Sequence, residues 1–309
     1  MKTGNKITRR LASKLLTIGT GAALLKPYDV FKTTKTMNQR TIPSTNEKIP
    51  VVGVGTWQTF DVGPSKEERQ ALKEVLKILV ANGGSVIDSS PMYGRSEKVV
   101  GELTTELNLK QQIFEATKVW TSGKEAGIQE MNRSMELMQA KPMDLMQIHN
   151  LLDWKTHLPT LRQWKEAGKI RYIGITHYHK GAYAEVEKIM QSETIDFVQI
   201  NYNVLAREAA DRLLPLARDK GIAVMINRPY AGGSLFRVSK NKVFPAWAAE
   251  FDAATWGQLF LKFILANPAV TCVIPGTSKA KHIKDNVQAG FGKLPTLEHQ
   301  KKLIKLLAK

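Results

Sequence analysis

From residue 51 onward, short apolar runs of strand length alternate with longer segments whose apolar residues recur at helical spacing. This alternation is typical of βα units that build a parallel sheet. Eight such units occur, and eight units predict an α/β fold in which the strands close into a (β/α)8 TIM barrel. The predicted strands are 51–55, 86–88, 114–117, 145–149, 172–175, 197–200, 223–226 and 270–274. The predicted helices are 65–82, 97–107, 127–139, 158–167, 182–191, 206–220, 255–266 and 280–289.

A doubly wound open sheet is the alternative arrangement of βα units. Such a sheet normally carries a glycine-rich phosphate turn directly after its first strand. The first run of this chain contains Gly53 and Gly55 but no third glycine at the spacing of that turn. The closed barrel is therefore the favoured fold.

Residues 1–31 differ in composition from the rest of the chain. A basic start that includes Arg9 and Arg10 precedes an apolar stretch, residues 15–25, which is too short to span a bilayer comfortably. This order is typical of an export signal, and the adjacent arginines indicate its twin-arginine variant. We therefore expect an export signal at 1–31, a barrel at 32–309, and a periplasmic or otherwise exported protein. The alternatives are a cytoplasmic protein whose basic helix packs on the barrel, and an uncleaved signal that anchors it to a membrane.

The chain is basic, with a formal net charge of +17. Six basic residues against Asp29 give +5 for residues 1–31, which leaves +12 on the remainder. Positive potential suits phosphate-bearing ligands, but no interleaved aromatic and basic motif occurs, so no nucleic-acid partner is expected. The six histidines lack metal-site spacing, and we assign no metal. The single cysteine, Cys272, lies in an apolar run and is expected to be a core residue.

Four ionisable residues follow three successive predicted strands: Asp88, Tyr93, Lys118 and His149. Because the carboxyl ends of barrel strands meet at one face, we expect these side chains to converge. A tyrosine is a poor acid at neutral pH, since its ordinary pKa is roughly 10. An ammonium beside the phenol lowers that pKa, and a carboxylate beyond the ammonium holds it in place. Asp88, Lys118 and Tyr93 suit that chain of interactions.

His149 would hydrogen-bond a substrate carbonyl oxygen and stabilise the charge that develops when a hydride reaches the carbon. Tyr93 would then donate a proton to that oxygen. No nucleophile stands beside a base, so covalent hydrolysis fits less well. Such a site needs an external hydride donor, and a nicotinamide is the natural one. Each of the four residues alone has an ordinary structural explanation, but their combination favours catalysis.

Three segments, 88–97, 131–149 and 274–286, resemble signature sequences of the aldo/keto reductases. The resemblance extends over nearly everything after about Thr41. It implies a (β/α)8 barrel that reduces an aldehyde or ketone to an alcohol, with NADPH preferred as cofactor and NADH possible. It also implies that Tyr93 is the general acid, that Lys118 and Asp88 tune it, and that His149 orients the carbonyl.

The resemblance further assigns residues to the cofactor. Those at the ends of the first and fifth predicted strands and on the sixth are Gly55, Thr56, Trp57, Thr176, His177 and Gln199. Those of the last two units are Asn227, Arg228, Tyr230, Gly232, Gly276, Thr277, Ser278, Lys279, His282, Asp285 and Asn286. The chain departs from the family pattern at Asn227, where many relatives stack an aromatic ring on the nicotinamide. Further departures are Thr176-His177 in place of an Asn or Ser pair, Gly276 in place of a lysine, and His282 in place of a more basic residue.

The substrate opening is expected between Trp57 and Trp120, with Tyr178 and Trp154 as weaker candidates. The expected partner is a small carbonyl compound, and an exported enzyme would also need a redox partner to regenerate its cofactor. A second function, of a different class, is a non-catalytic sensor or accessory subunit that binds the nicotinamide on the same barrel.

Overall fold

A two-stranded antiparallel hairpin precedes a sheet of eight parallel strands. The structure, a computed structural model, describes residues 36–308. The hairpin strands are β1 (Gln39–Thr41) and β2 (Lys48–Pro50). The parallel strands are β3 (Val54–Gly55), β4 (Val86–Asp88), β5 (Phe114–Val119), β6 (Met143–His149), β7 (Ile170–His177), β8 (Phe197–Asn201), β9 (Ala223–Asn227) and β10 (Cys272–Val273).

The parallel strands are hydrogen-bonded in chain order, from β3 to β10. The sheet then closes, because Val52 and Gly55 bridge in parallel to Val273 and Gly276. A side chain at Gly55 would clash with this closure, since its Cβ would lie 2.9 Å from the carbonyl oxygen of Ile274. The predicted (β/α)8 barrel is confirmed.

The helices are α1 (Lys66–Ala81), α2 (Ser96–Glu106), α3 (Lys124–Met138), α4 (Trp154–Glu166), α5 (Tyr183–Ser192), α6 (Leu213–Lys220), α7 (Ser234–Ser239), α8 (Trp256–Leu265), α9 (Ala280–Gln288) and α10 (Leu297–Ala308). In α1, Leu72, Val75, Leu76 and Leu79 form one buried face, as their spacing predicts. Ser65 begins this helix by accepting a hydrogen bond from the backbone N–H of Glu68, at 3.3 Å.

The prediction of the sixth helix, 206–220, is wrong about the residue at which the helix begins. The side-chain oxygen of Asn203 accepts the backbone N–H groups of Leu205 and Ala206, at 2.9 and 3.0 Å. This local turn competes with helix formation, and α6 begins only at Leu213. The hairpin β1–β2 and the helices α7 and α10 were not predicted from the sequence.

The inner face of the barrel changes from apolar to polar along the strands β4 to β9. Alternate residues of a strand face the same side, so Phe114, Ala116 and Lys118 of β5 share one face. The amino-terminal members of these inner faces form one buried apolar cluster with two hairpin residues, Ile42 and Ile49. The carboxyl-terminal members on β4 to β9 are polar or charged. The barrel interior is therefore apolar toward the amino-terminal ends of the strands and polar toward their carboxyl-terminal ends, where the site lies.

The predicted export signal at 1–31 lies outside the described residues. Among residues 36–308, no helix has both the length and the apolar character needed to cross a membrane. Cys272 is fully buried, as expected of a core residue.

Candidate active site

A buried ion pair lies at the carboxyl ends of β4 and β5. Lys118 is 0% exposed, and its Nζ lies 2.7 Å from Asp88 Oδ2 and 2.6 Å from the carbonyl oxygen of Ser89. Burial lowers the pKa of Lys118, but the nearby Asp88 and Tyr93 outweigh burial and raise it above 10.5. The ammonium therefore stays charged at neutral pH.

Two buried amides hold the other oxygen of the Asp88 carboxylate. Gln147 and Gln199 each donate an Nε2–H to Asp88 Oδ1, both at 2.9 Å. Gln147 lies beside Lys118 in the register of β5 and β6. Gly174, its neighbour on β7, leaves room for this side chain, because a Cβ there would lie 2.9 Å from Gln147 Cγ. Both oxygens of this buried carboxylate therefore have hydrogen-bond donors.

Tyr93 lies in the turn between β4 and α2, and its ring is beside the ion pair. Lys118 Nζ is 5.1 Å from the centroid of this ring. We expected a lowered pKa for the phenol, and that expectation is wrong for the protein alone. Burial raises the pKa of Tyr93 above 10, and Asp88 adds to this, whereas Lys118 lowers it without overcoming burial. The phenol is consequently a protonated acid at neutral pH.

His149, at the end of β6, completes the predicted group of four. Its ring meets the Tyr93 ring edge to face, with centroids 5.7 Å apart. Its Nδ1 lies 2.9 Å from the hydroxyl oxygen of Ser90. Burial, helped by the charges of Lys118 and His177, lowers the pKa of His149 to about 3. The imidazole is therefore neutral. A neutral ring suits the role of hydrogen-bond donor to a carbonyl oxygen better than the role of acid that gives up a proton.

Exposed aromatic side chains lie at the same face of the barrel as this group. Trp57, after β3, is 48% exposed, and Trp120, after β5, is 41% exposed with its ring 6.1 Å from that of His149. Tyr178, after β7, is exposed and stacks on His177, while the Arg228 guanidinium lies 5.4 Å from its ring centroid. Trp154 instead packs partly buried against the core. The tryptophans predicted for the substrate opening thus lie at the expected face of the barrel.

The cofactor residues predicted near the barrel axis form a polar chain with the ion pair. Gln199 Oε1 accepts from Thr176 Oγ1 at 3.3 Å and from Asn227 Nδ2 at 3.4 Å. On the opposite side, Gly55 is followed by Thr56, whose buried hydroxyl donates to Ser89 Oγ at 2.9 Å. The structure therefore joins Gln199, Thr176, Asn227 and Thr56 to the surroundings of Asp88.

Asn227 retains an unsatisfied oxygen. Its Oδ1 is buried, and within residues 36–308 it has no hydrogen-bond partner. A buried polar atom without a partner costs stability unless a ligand satisfies it. After Asn227 the chain turns sharply, with Arg228 at φ 48° and Gly232 at φ 62°. The backbone oxygen of Arg228 accepts from Asn203 Nδ2 at 3.2 Å, which helps to hold this turn.

The residues predicted to bind the adenosine end lie around α9, away from the ion pair. Tyr230 donates to Asn286 Oδ1 at 2.6 Å, and Asp285 accepts from Thr255 and Gln258 at the start of α8. Gly276, Thr277 and Ser278 stand in the turn before α9, Lys279 is the residue at its amino-terminal cap, and His282 lies in its first turn. Thr277 Oγ1 accepts the backbone N–H of Lys279 at 3.1 Å and lies 3.4 Å from His282 Nδ1. Lys279 and His282 are exposed at the start of α9.

Gln147, Ser89 and Ser90 contact the predicted site residues but were not identified from the sequence. The signal for Gln147 was available, because it precedes His149 by two residues and a strand period of two places both on one face. Ser89 and Ser90 lie between Asp88 and Tyr93, where the sequence shows a turn but not its contacts.

Comparison with known proteins gives consistent results. The model of the aldo/keto reductase family matches residues 51–302. Aldo-keto reductase YhdN of Bacillus subtilis is 24% identical over 205 residues, which cover 62% of this chain and 61% of that protein. Methylglyoxal reductase YeaE of Escherichia coli is 26% identical, with 81% of this chain and 89% of that protein covered. The crystal structure of an aldo-keto reductase from Klebsiella pneumoniae in complex with NADPH has a TM-score of 0.72 at 22% identity, with 88% and 95% of the two chains covered.

Proposed function

This chain belongs to the aldo/keto reductase family, and from that premise we propose that it reduces an aldehyde or ketone to an alcohol, with NADPH as the hydride donor. One observation carries the proposal: the fully buried Lys118–Asp88 pair lies directly beside the phenol of Tyr93. A buried ion pair is costly to maintain and is a weak source of stability. Its position beside an acid, at the carboxyl ends of the barrel strands, supports a catalytic use.

Tyr93 is proposed to hold the proton that the reaction consumes. Its raised pKa keeps the phenol protonated at neutral pH, so the proton is available for the carbonyl oxygen. Once Tyr93 has given up that proton, the neighbouring Lys118 ammonium stabilises the phenolate. Asp88 keeps Lys118 in place, and the amides of Gln147 and Gln199 keep Asp88 in place.

His149 is proposed to orient the carbonyl. A neutral imidazole donates one N–H to the carbonyl oxygen without competing with Tyr93 as an acid. The donor is most useful where negative charge develops on that oxygen, in a site shielded from water. The rings of Tyr93 and His149 are in edge-to-face contact, so their polar groups lie near one another. The two donors would therefore bind a single carbonyl oxygen.

The polar residues at the carboxyl ends of β7, β8 and β9 fit a nicotinamide. When bound, the reduced nicotinamide supplies the hydride for the carbonyl carbon. The unsatisfied Asn227 Oδ1 is an acceptor for an amide N–H, and Gln199 and Thr176 lie in the same polar chain. The other residues proposed around the nucleotide are Gly55, Thr56, Trp57, His177, Arg228, Tyr230, Gly232, Gly276, Thr277, Ser278, Asp285 and Asn286.

Preference for NADPH over NADH is proposed to come from the start of α9. Lys279 and His282 are exposed there, and a phosphate benefits both from a lysine and from the free backbone N–H groups of a helix start. Partial burial of the ring and its neighbours Lys281 and Lys279 lower the pKa of His282, so it contributes as a neutral donor. Lys279 is therefore expected to carry most of the preference.

The substrate is proposed to be a planar or apolar carbonyl compound. Trp57 and Trp120 are large and exposed, and they stand at the same face as His149. Aromatic walls with a few converging polar groups are typical of small-molecule sites. The carbonyl would enter between these rings and reach Tyr93 and His149.

The proposal is tested by titrating the purified protein with NADPH and with NADH and following tryptophan fluorescence. A panel of aldehydes and ketones is then added, and the absorbance of the reduced nicotinamide is recorded. We expect tighter binding of NADPH than of NADH, and turnover of at least one compound. Binding without turnover of any compound would favour the sensor or accessory subunit instead, and no binding would refute both functions.

Residues 1–31 are proposed to direct export by the twin-arginine route, which carries folded proteins. A barrel folded around its cofactor would then travel with it, and a redox partner would regenerate the cofactor outside the cytoplasm. Cell fractionation of the full-length chain tests this, with Arg9→Lys/Arg10→Lys as the paired variant. Export of the wild type and retention of the variant support the proposal, whereas a cytoplasmic wild type with an intact amino terminus would refute it.

A further inference from the structure

The hydroxyl of Ser90 lies behind the His149 ring, on the Nδ1 side. Ser90 is fully buried and His149 is 5% exposed, so water is largely excluded from their contact. The two atoms, Ser90 Oγ and His149 Nδ1, are 2.9 Å apart. Either atom can act as donor in this hydrogen bond, and which one does so decides where the single proton of a neutral ring resides.

A count of protons and lone pairs decides the direction. The oxygen of Ser90 already accepts the backbone N–H of Met92, at 3.3 Å. Within residues 36–308, His149 Nδ1 is the acceptor available to the hydrogen of this hydroxyl. If Nδ1–H donated instead, the buried hydroxyl hydrogen would have no acceptor, which is costly in a buried site. Ser90 therefore donates, and Nδ1 accepts.

Because the His149 ring is neutral and carries one proton, the direction of this hydrogen bond decides which ring nitrogen holds that proton. Burial and the positive charge of Lys118 on β5 oppose a second ring proton on His149, and His177 on β7 opposes it further when it is itself protonated. Tyr93 faces the ring from the other side and is itself protonated. A ring with one proton and an accepting Nδ1 carries that proton on Nε2.

We propose that Ser90 is a positioning residue that fixes His149 as the Nε2–H tautomer, so that Nε2 becomes the donor to the substrate oxygen. The role of that donor rests on the proposed carbonyl reduction, but the tautomer does not. In the opposite tautomer, Nε2 would present a lone pair to the carbonyl oxygen and repel it. A wrong tautomer disables a histidine even when its geometry is intact.

The tautomer is measured directly by nuclear magnetic resonance of the protein labelled with ¹⁵N histidine, in the absence of cofactor and substrate. Long-range proton–nitrogen correlations distinguish a protonated ring nitrogen from an unprotonated one, and His149→Asn assigns the signals. We expect a protonated Nε2 and an unprotonated Nδ1 in the wild type. A protonated Nδ1 would overturn the proposal, and this measurement requires no active enzyme.

Ser90→Ala and Ser89→Ala form a matched pair. Each removes one buried hydroxyl, but Ser89 Oγ contacts Thr56 and not His149. We expect Ser90→Ala to shift the His149 nitrogen signals toward the Nδ1–H tautomer, while Ser89→Ala leaves them where they are. Unchanged His149 signals in folded Ser90→Ala would overturn the role of Ser90.

Kinetics then separate positioning from general loss of structure. Ser90→Ala should lower kcat/KM for the carbonyl compound about tenfold, the effect of one hydrogen bond, with the Kd for NADPH unchanged. Folded Ser90→Thr, which keeps the hydroxyl, should retain most of the wild-type kcat/KM. If the tautomer is as proposed but the protein turns over no carbonyl compound, the proposed function fails and the inference about Ser90 stands.

Discussion

At the scale of single residues, the site depends on a charged lysine that is completely removed from water. Lys118 is kept charged by Asp88 and by the carbonyl oxygen of Ser89, and the two glutamines complete the shell of Asp88. Burial of both charges costs several kcal/mol per ion, and only this full set of partners offsets that cost. The site is therefore sensitive to the loss of any one partner.

Lys118→Met tests this dependence. The substitution leaves Asp88 buried without a cation, and we expect the free energy of unfolding to fall by about 3–5 kcal/mol in denaturant titration. The control is Lys302→Met, because Lys302 pairs with Glu298 at the same distance of 2.7 Å but on the surface of α10. No measurable loss is expected for the control. Equal losses in both variants would contradict the account.

The buried His149 should also make stability depend on pH. Its pKa is lowered from 6.5 to about 3 in the folded protein, so below pH 6.5 the unfolded chain binds the proton more readily. The contribution is fully present above pH 6.5 and is lost as the pH falls toward 3. At about pH 4 the loss should reach about 3 kcal/mol, since one pKa unit corresponds to about 1.4 kcal/mol.

This contribution is isolated by comparing wild type with His149→Asn, in which the residue does not titrate. Unfolding free energies are measured from about pH 7 to pH 4 for both proteins. The wild type should lose about 3 kcal/mol more than the variant, because all other groups are shared. If the unfolding free energies of the two proteins fell in parallel as the pH decreased, His149 would have its ordinary pKa in the folded protein, which would contradict the prediction.

At the scale of elements, the hairpin β1–β2 closes the end of the barrel opposite the site. Ile42 and Ile49 join the inner apolar cluster, and Arg40 donates to the backbone oxygens of Asn267, after α8, and of Val270, before β10. The hairpin was not predicted, because its strands of three residues are too short to show a period. Its value to the fold lies in long-range contacts, which the sequence does not display.

Ile42→Ala tests whether the hairpin stabilises the barrel without taking part in catalysis. We expect a loss of about 2–5 kcal/mol in the free energy of unfolding, since a fully buried isoleucine leaves a cavity. Val243→Ala, at an apolar residue that is 87% exposed, should change stability by no more than about 0.5 kcal/mol. Neither variant should change kcat/KM or the Kd for NADPH. A loss of activity in folded Ile42→Ala would contradict the assignment of the hairpin to structure alone.

At the scale of the whole molecule, the order of the eight βα units was predictable because each strand is apolar and each helix has an apolar face. The face that carries the chemistry was predictable too, since Asp88, Lys118 and His149 all stand at strand ends. The contacts of Ser90 and the raised pKa of Tyr93 were not, because both depend on burial produced by distant segments. The same applies to Asn227, whose unsatisfied oxygen is a property of the packed barrel.

The central claim is that the phenol proton of Tyr93 is used in carbonyl reduction. The most direct measurement is the rate of nicotinamide oxidation by Tyr93→Phe, with NADPH affinity measured on the same samples. Tyr172→Phe is the control, since it removes a buried phenol that bonds Thr45 at the opposite end of the barrel. We predict that Tyr93→Phe lowers kcat by about 100-fold or more with NADPH binding retained, and that Tyr172→Phe leaves kcat unchanged. Wild-type turnover by Tyr93→Phe would contradict the account.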